Sequence, residues 1–139
     1  MNPGVEISTF ITELRPLTIE ASLTFMQPRA TKDNADGSRF LTERPEMLAF
    51  LTLDYDISGL QPTLEISHTK PGYSNVDNKF VELPSYTILN ARLAYRFIFE
   101  SISAQIFVRA NNLTDASPLN QIGLPGAGRE IQGGIKLLF

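Results

Sequence analysis

His68 is the only histidine in the chain. A Ser/His/Asp set built on it would do nucleophilic hydrolysis. The sequence offers no nucleophile elbow and no strand-to-helix context to hold one, so no enzyme is expected. Cysteine is absent, which removes thiol catalysis and disulfides. Lys32–Glu43 shadows a calcium loop, with Asn34, Asp36, Gly37 and Glu43 at suitable offsets. Its first ligand position is Lys32, which cannot bind a cation, so a solvated hairpin loop turning at Asp36-Gly37 is expected instead. Gly123, Gly126 and Gly128 suggest a phosphate cradle only until the missing Gly-Lys-Ser/Thr is noticed; they read as a flexible turn. Asn112-Leu113-Thr114 is a glycosylation sequon, but Asn111-Asn112-Leu113-Thr114-Asp115 reads better as a capped turn where a strand ends. Asp54 and Asp56 lie two apart on one strand face and are expected to pair with arginines of the next strand. No metal, no cofactor and no catalytic residue is assigned.

The elements that carry these residues are strands. Period-two alternation marks seven: Val5–Leu14, Leu17–Met26, Met47–Ile57, Leu60–Thr69, Tyr86–Phe97, Ile102–Ala110 and a terminal strand running from Arg129 to Phe139. In the last, Ile131, Gly133, Ile135, Leu137 and Phe139 share one parity. Side chains alternate faces along a strand, so one face is apolar and the other polar. Strand charges fall on the polar parity: Glu20, Asp54, Asp56, Glu65, Arg92, Arg96, Arg109, Glu130 and Lys136. His68 is on the apolar parity, near a strand end.

The connectors alternate short and long. Arg15-Pro16, Ser58-Gly59 and Ile98–Ser101 are short; Gln27–Glu46, Lys70–Ser85 and Asn111–Gly128 are long. Antiparallel strands then put every short turn on one rim and every long loop on the other, as in an outer-membrane barrel. Most runs approach the roughly 9–11 tilted residues that cross a bilayer. Tyr55, Tyr95, Phe97 and Phe139 share the apolar parity and the short-turn rim, which predicts one arc of an interfacial aromatic girdle. The predicted fold is all-β: an antiparallel up-and-down transmembrane barrel segment of about seven strands, an open curved sheet if alone. The rival is a soluble lipocalin-like ligand-binding barrel, with the apolar parity inside.

Bulk properties agree. Across 139 residues, hydrophobic content is 42% and charged content 19%, too apolar for a disordered chain. No window holds the roughly 18 consecutive apolar residues of a spanning helix, a test that barrel strands never pass. The net charge of −3 and scattered Lys and Arg give no reason to expect nucleic acid. Met1–Glu6 does not open a signal peptide. An outer-membrane protein needs one, so either it has been removed or the chain is the tail of something longer.

From Leu83 onward the sequence resembles the C-terminal end of TonB-dependent outer-membrane receptors. Leu83-Pro84-Ser85-Tyr86-Thr87-Ile88-Leu89-Asn90-Ala91-Arg92-Leu93-Ala94-Tyr95-Arg96-Phe97 is similar to that family's LPGYTVVDLRASYRF strand. Phe107-Val108-Arg109-Ala110-Asn111-Asn112-Leu113-Thr114-Asp115 is similar to its VNNLFDK segment. Leu124-Pro125-Gly126-Ala127-Gly128-Arg129 is similar to its PGRGR approach to a last strand ending in Phe. More weakly, Asp36–Leu41 and Arg44-Pro45 resemble its loop and P-x-H strand start. The resemblance implies a barrel of about 22 strands, filled by an N-terminal plug. It also implies energy from TonB and uptake of ferric siderophores or similar large nutrients. Seven strands cannot enclose that lumen, so the chain is expected to be a C-terminal barrel portion without its plug. It is expected in the outer membrane, with its C-terminus in the periplasm. Its partners would be outer-membrane lipid, the barrel-assembly machinery, the rest of the barrel and plug, and the nutrient. As in the family, Ile131, Ile135, Leu137 and Phe139 would form the assembly signal.

Overall fold

Alternating apolar and polar residues, punctuated by Gly, Pro, Asn and Asp, leave this chain no route to an amphipathic helix; pairing edge to edge is what satisfies its backbone. The computed structural model describes residues 4–11, 15–30, 32–34, 39, 41–77, 79–99 and 102–138, the side chains of 10, 11, 99 and 138 excepted. Among them are nine strands: β1 (Gly4–Ile11), β2 (Leu17–Met26), β3 (Met47–Tyr55), β4 (Leu60–Lys70), β5 (Tyr73–Val76), β6 (Lys79–Glu82), β7 (Tyr86–Phe99), β8 (Ile102–Asn111) and β9 (Glu130–Leu138). Seven form one antiparallel meander in the order β1-β2-β3-β4-β7-β8-β9, and β5 pairs with β6 as a separate hairpin.

The seven expected strands are therefore the seven of the sheet. Their ends move by a few residues. β3 stops at Tyr55 because Ile57 and Leu60 exchange both backbone hydrogen bonds, at 2.9 and 3.0 Å, and close a two-residue turn. β7 continues two residues past Phe97, and Phe99 pairs with Ile102, leaving only residues 100–101 to connect β7 to β8. The β5–β6 hairpin lies within the loop read as 70–85. Phe139 and the Asp36-Gly37 turn lie outside the described residues.

The Ser58-Gly59 turn has φ of 51° and 86° at its two central residues. Positive φ at both is the turn whose twist matches the flanking strands. A Cβ on Gly59 would stand 2.6 Å from the Arg96 carbonyl oxygen, and the Gly59 carbonyl accepts the Arg96 N–H at 2.9 Å. The turn is thus folded onto β7. Gly59→Ala is expected to cost about 1–3 kcal/mol, read as an earlier urea midpoint for the protein folded in lipid vesicles. Ser58→Gly should leave that midpoint unchanged or raise it, since it removes a left-handed non-glycine residue.

Register carries the alternation across the whole sheet. Ile19, Leu53, Leu64, Ala91, Ala110 and Ile131 lie in one continuous row on one face. Thr18, Asp54, Thr63, Arg92, Arg109 and Gln132 lie in the neighbouring row on the other. Slipping any strand by one residue would drive charges into the apolar row.

Among the described residues, nothing covers the apolar face. Leu83 and Ala94 are the buried hydrophobic residues among those described, while Leu93 is 46% exposed, Ile131 70% and Ile135 72%. Leu51, Leu64, Leu93 and Ile135 do not converge on an interior, and β1 and β9 do not pair with each other. The lipocalin-like rival needs a closed sheet with a dry inside, and the described sheet is open.

Candidate functional site

The polar face is a web of three hydrogen-bonded clusters. Asp56 accepts from Gln61 Nε2 at 2.8 Å and from Arg96 Nη2 at 3.4 Å. Gln61 Oε1 accepts from Gln105 Nε2 at 2.8 Å, and Gln105 Oε1 accepts from Arg92 Nη2 at 3.4 Å. Glu65 accepts from Asn90 at 3.2 Å and Arg109 at 3.3 Å. Thr63 donates to Asp54 at 2.6 Å. Five strands or turns contribute, and every partner lies on the same parity.

The expected pairing of Asp54 and Asp56 with arginines of the next strand does not form. Asp56 meets an arginine, but on β7 rather than on the adjacent β4. The cause is the turn at Ser58-Gly59, whose carbonyl is tied to Arg96 and brings Asp56 beside it. Asp54 is satisfied by Thr63, its register partner, and makes no ion pair among the described residues.

Arg92 and Arg109 are direct cross-strand partners, an arrangement that like charge disfavours. The web separates them. Arg109 turns to Glu65, and Arg92 turns to Gln105 with its guanidinium 5.4 Å from the centre of the Phe107 ring. Phe107 needs room to lie flat there. Its register partner on β9 is Gly134, where a Cβ would stand 2.8 Å from the ring. The Gly133-Gly134 pair in an otherwise strong strand is the signal that could have disclosed this contact.

At the long-loop rim, Asn112 ties the last loop together. It is 4% exposed, with φ of 52°. Its backbone N–H donates to Asn90 Oδ1 at 2.9 Å. Its side-chain amide donates to the carbonyls of Ala116 at 2.8 Å and Ala127 at 3.2 Å. Its Oδ1 accepts from the Ala116 N–H at 2.9 Å and the Thr114 hydroxyl at 3.1 Å. The turn reading of this segment therefore holds, and the sequon's asparagine has no free amide.

The long loops lean on one another. Glu46 N–H donates to the Lys70 carbonyl and Glu43 N–H to the Tyr73 carbonyl, both at 2.9 Å. Lys70 Nζ pairs with Glu46 at 2.7 Å and Glu82 at 3.5 Å. Tyr86 Oη donates to Asn120 at 2.7 Å, and Ile122 N–H to Ser74 Oγ at 3.4 Å. Asp33 is paired to Arg39 at 2.5 Å, and no group of three or more potential metal ligands occurs among the described residues. Gly126 N–H donates to the Pro118 carbonyl at 2.7 Å, which makes the glycine-rich segment an internal turn. His68 Nδ1 stands 2.9 Å from the hydroxyl of its register partner Thr87, at the loop end of the apolar face.

At the opposite rim, Tyr55, Tyr95 and Phe97 all project from the apolar face and are 37–42% exposed. The Tyr95 and Phe97 rings meet edge to face, 4.7 Å apart.

Residues 2–113 match the family model described as TonB-dependent receptor-like, β-barrel. The chain belongs to this family. TonB-dependent receptor barrels lie in the outer membrane, and membership assigns the chain to it. No curated protein matches the sequence. Among solved structures, the chain is similar to the ferric-catecholate import receptor Fiu of E. coli K12, at 18% identity and a TM-score of 0.72. That match covers 96% of this chain and 20% of Fiu. It is also similar to BauA, the ferric preacinetobactin receptor of Acinetobacter baumannii, at 20% identity and a TM-score of 0.77, covering 96% of this chain and 21% of BauA. The chain thus spans about a fifth of the length of these receptors. At such identities the likeness is one of fold: the open meander superposes on a stretch of a TonB-dependent receptor wall. Fiu and BauA are both receptors.

Proposed function

We propose that the chain is the C-terminal wall portion of a TonB-dependent receptor that takes up ferric siderophore or a similarly large nutrient. The observation that carries this is the sheet itself: one uncovered apolar face, one hydrogen-bonded polar face, and turns sorted by length onto two rims. The apolar face meets lipid, and the polar web of Asp56, Glu65, Arg92, Arg96 and Arg109 faces the lumen and its plug. The short-turn rim and the C-terminus are periplasmic. Loops 27–46, 70–85 and 112–129 are extracellular and contribute to the ligand funnel. Tyr55, Tyr95, Phe97 and Phe139 form an arc of the interfacial girdle, since aromatic rings prefer the headgroup level. Ile131, Ile135, Leu137 and Phe139 form the signal read by the barrel-assembly machinery, and the edges of the sheet pair with the rest of the barrel.

The test uses a Gram-negative host carrying the chain in its native reading frame behind a signal peptide. Growth on ferric siderophore as sole iron source should depend on that frame. Deleting Phe139 should reduce the protein in the outer-membrane fraction to a small part of the parent's level. Undiminished assembly without Phe139 removes the signal role; growth on ferric siderophore that is unchanged when the frame is deleted removes the uptake role.

A further inference from the structure

The apolar face is not uniformly bulky. In the row Ile19, Leu53, Leu64, Ala91, Ala110, Ile131, two adjacent positions are alanine. In the next row toward the short-turn rim, Leu17, Tyr55, Leu93 and Val108 stand along them. The result is an open groove of about 470 Å³, floored by Ala91 and Ala110 and walled by Leu53, Tyr55, Leu93 and Val108.

Its course is set by the strands. Leu17 opens β2 and Tyr55 closes β3, both on the short-turn rim, while Ala110 is next to last in β8, close to the long-loop rim. Barrel strands tilt by roughly 35–45°, so a row perpendicular to them climbs through the membrane. The groove starts at the interface and slants across the hydrocarbon. Tyr55 marks its interfacial end, and Arg15, two residues before Leu17 and exposed, puts a cation on the same rim.

We infer that this groove holds one acyl chain of a phospholipid whose phosphate lies at the short-turn rim. The inference rests on the outward orientation proposed above. Four features select this occupant. The lining is nearly all hydrocarbon, and the mouth opens on the rim that carries Arg15. Eleven residues line the groove, against about 20–30 on each side of a standard protein interface. The volume falls in the range of small-molecule sites, about 300–1,000 Å³.

The experiment takes the full protein, purified from outer membranes in mild detergent, to native mass spectrometry with identification of released lipid. The parent retains one phospholipid per chain. The double substitution Ala91→Leu with Ala110→Leu fills the floor and lowers retention about tenfold, what losing the burial of two methylenes does. Ala49→Leu, on the same face outside the groove, retains the parent's level. Leu93→Ala alters an exposed wall without loading the sheet, and also weakens retention, so the proposal does not hang on one variant's folding. Equal retention in the filled variant, no phospholipid on the parent, lipid A in its place, or a second copy of the chain displaced by filling each overturns it. Membrane fractionation separates the two claims. A chain found in the outer membrane without bound phospholipid overturns only this inference, whereas a chain absent from that membrane overturns the orientation as well.

Discussion

Leu64→Arg should prevent stable assembly of the sheet in a membrane. Leu64 lies mid-strand on β4, between Leu53 and Ala91 in the apolar row. An arginine on a barrel's lipid face costs about 2–4 kcal/mol at the bilayer midplane. A folded domain holds about 5–15 kcal/mol in all, so this is a large part of the margin. The matched control is Ser67→Arg, three residues along the same strand and on the opposite parity. It should fall within about 0.5 kcal/mol of the parent. Urea unfolding in phosphatidylcholine vesicles reads both. If Leu64→Arg and Ser67→Arg are equally harmless, the apolar row does not face hydrocarbon.

Asn112→Ala should release the last long loop. Its buried amide supports two carbonyls, one N–H and one hydroxyl. Stranding buried partners costs about 1–3 kcal/mol each way it is measured. Alanine at φ of 52° adds about 1–2 kcal/mol, a conformation asparagine tolerates better. The combined loss is expected at about 2–5 kcal/mol. Limited proteolysis should find new cleavage within 112–129, while loop 27–46 keeps the parent's pattern. Asn112→Asp retains the acceptor and loses the donors, and should lie between the two. A protease pattern unchanged in Asn112→Ala would mean that the loop is held by other contacts.

The sheet was legible from sequence because its signal is repeated. Every strand states the same period, and each apolar row is written seven times over, so a local error cannot shift the whole. The short turns were legible for a similar reason: Ser58-Gly59 sits between two alternating runs with nothing else to explain it. The β5–β6 hairpin was not. Tyr73–Val76 and Lys79–Glu82 are four residues each, too short to show a period, and only the Asp77-Asn78 pair hinted at a turn between them.

The lumen-side web was legible as a face but not as a set of partners. Period alone places Asp56, Glu65, Arg96 and Arg109 together. Which acid meets which base depends on how the Gly59 turn drapes over β7, and that is a matter of tertiary geometry. The Arg92–Phe107 contact depends on Gly134, on a third strand, leaving space for the ring. The groove at Ala91 and Ala110 needed register, since two alanines 19 positions apart are neighbours only once β7 and β8 are paired.

The orientation of the two faces is tested most directly where hydropathy cannot decide it. Phe50 and Leu51 are adjacent on β3, and Ile88 and Leu89 on β7; all four are apolar, yet each pair splits across the two faces. The chain has no cysteine, so each position can carry a single spin label. In the protein assembled in membranes, labels at Leu51 and Leu89 should relax with dissolved oxygen and ignore a water-soluble nickel chelate. Labels at Phe50 and Ile88 should be distinctly less oxygen-accessible than their neighbours. Equal values within each pair, or oxygen favouring 50 and 88, would contradict the account.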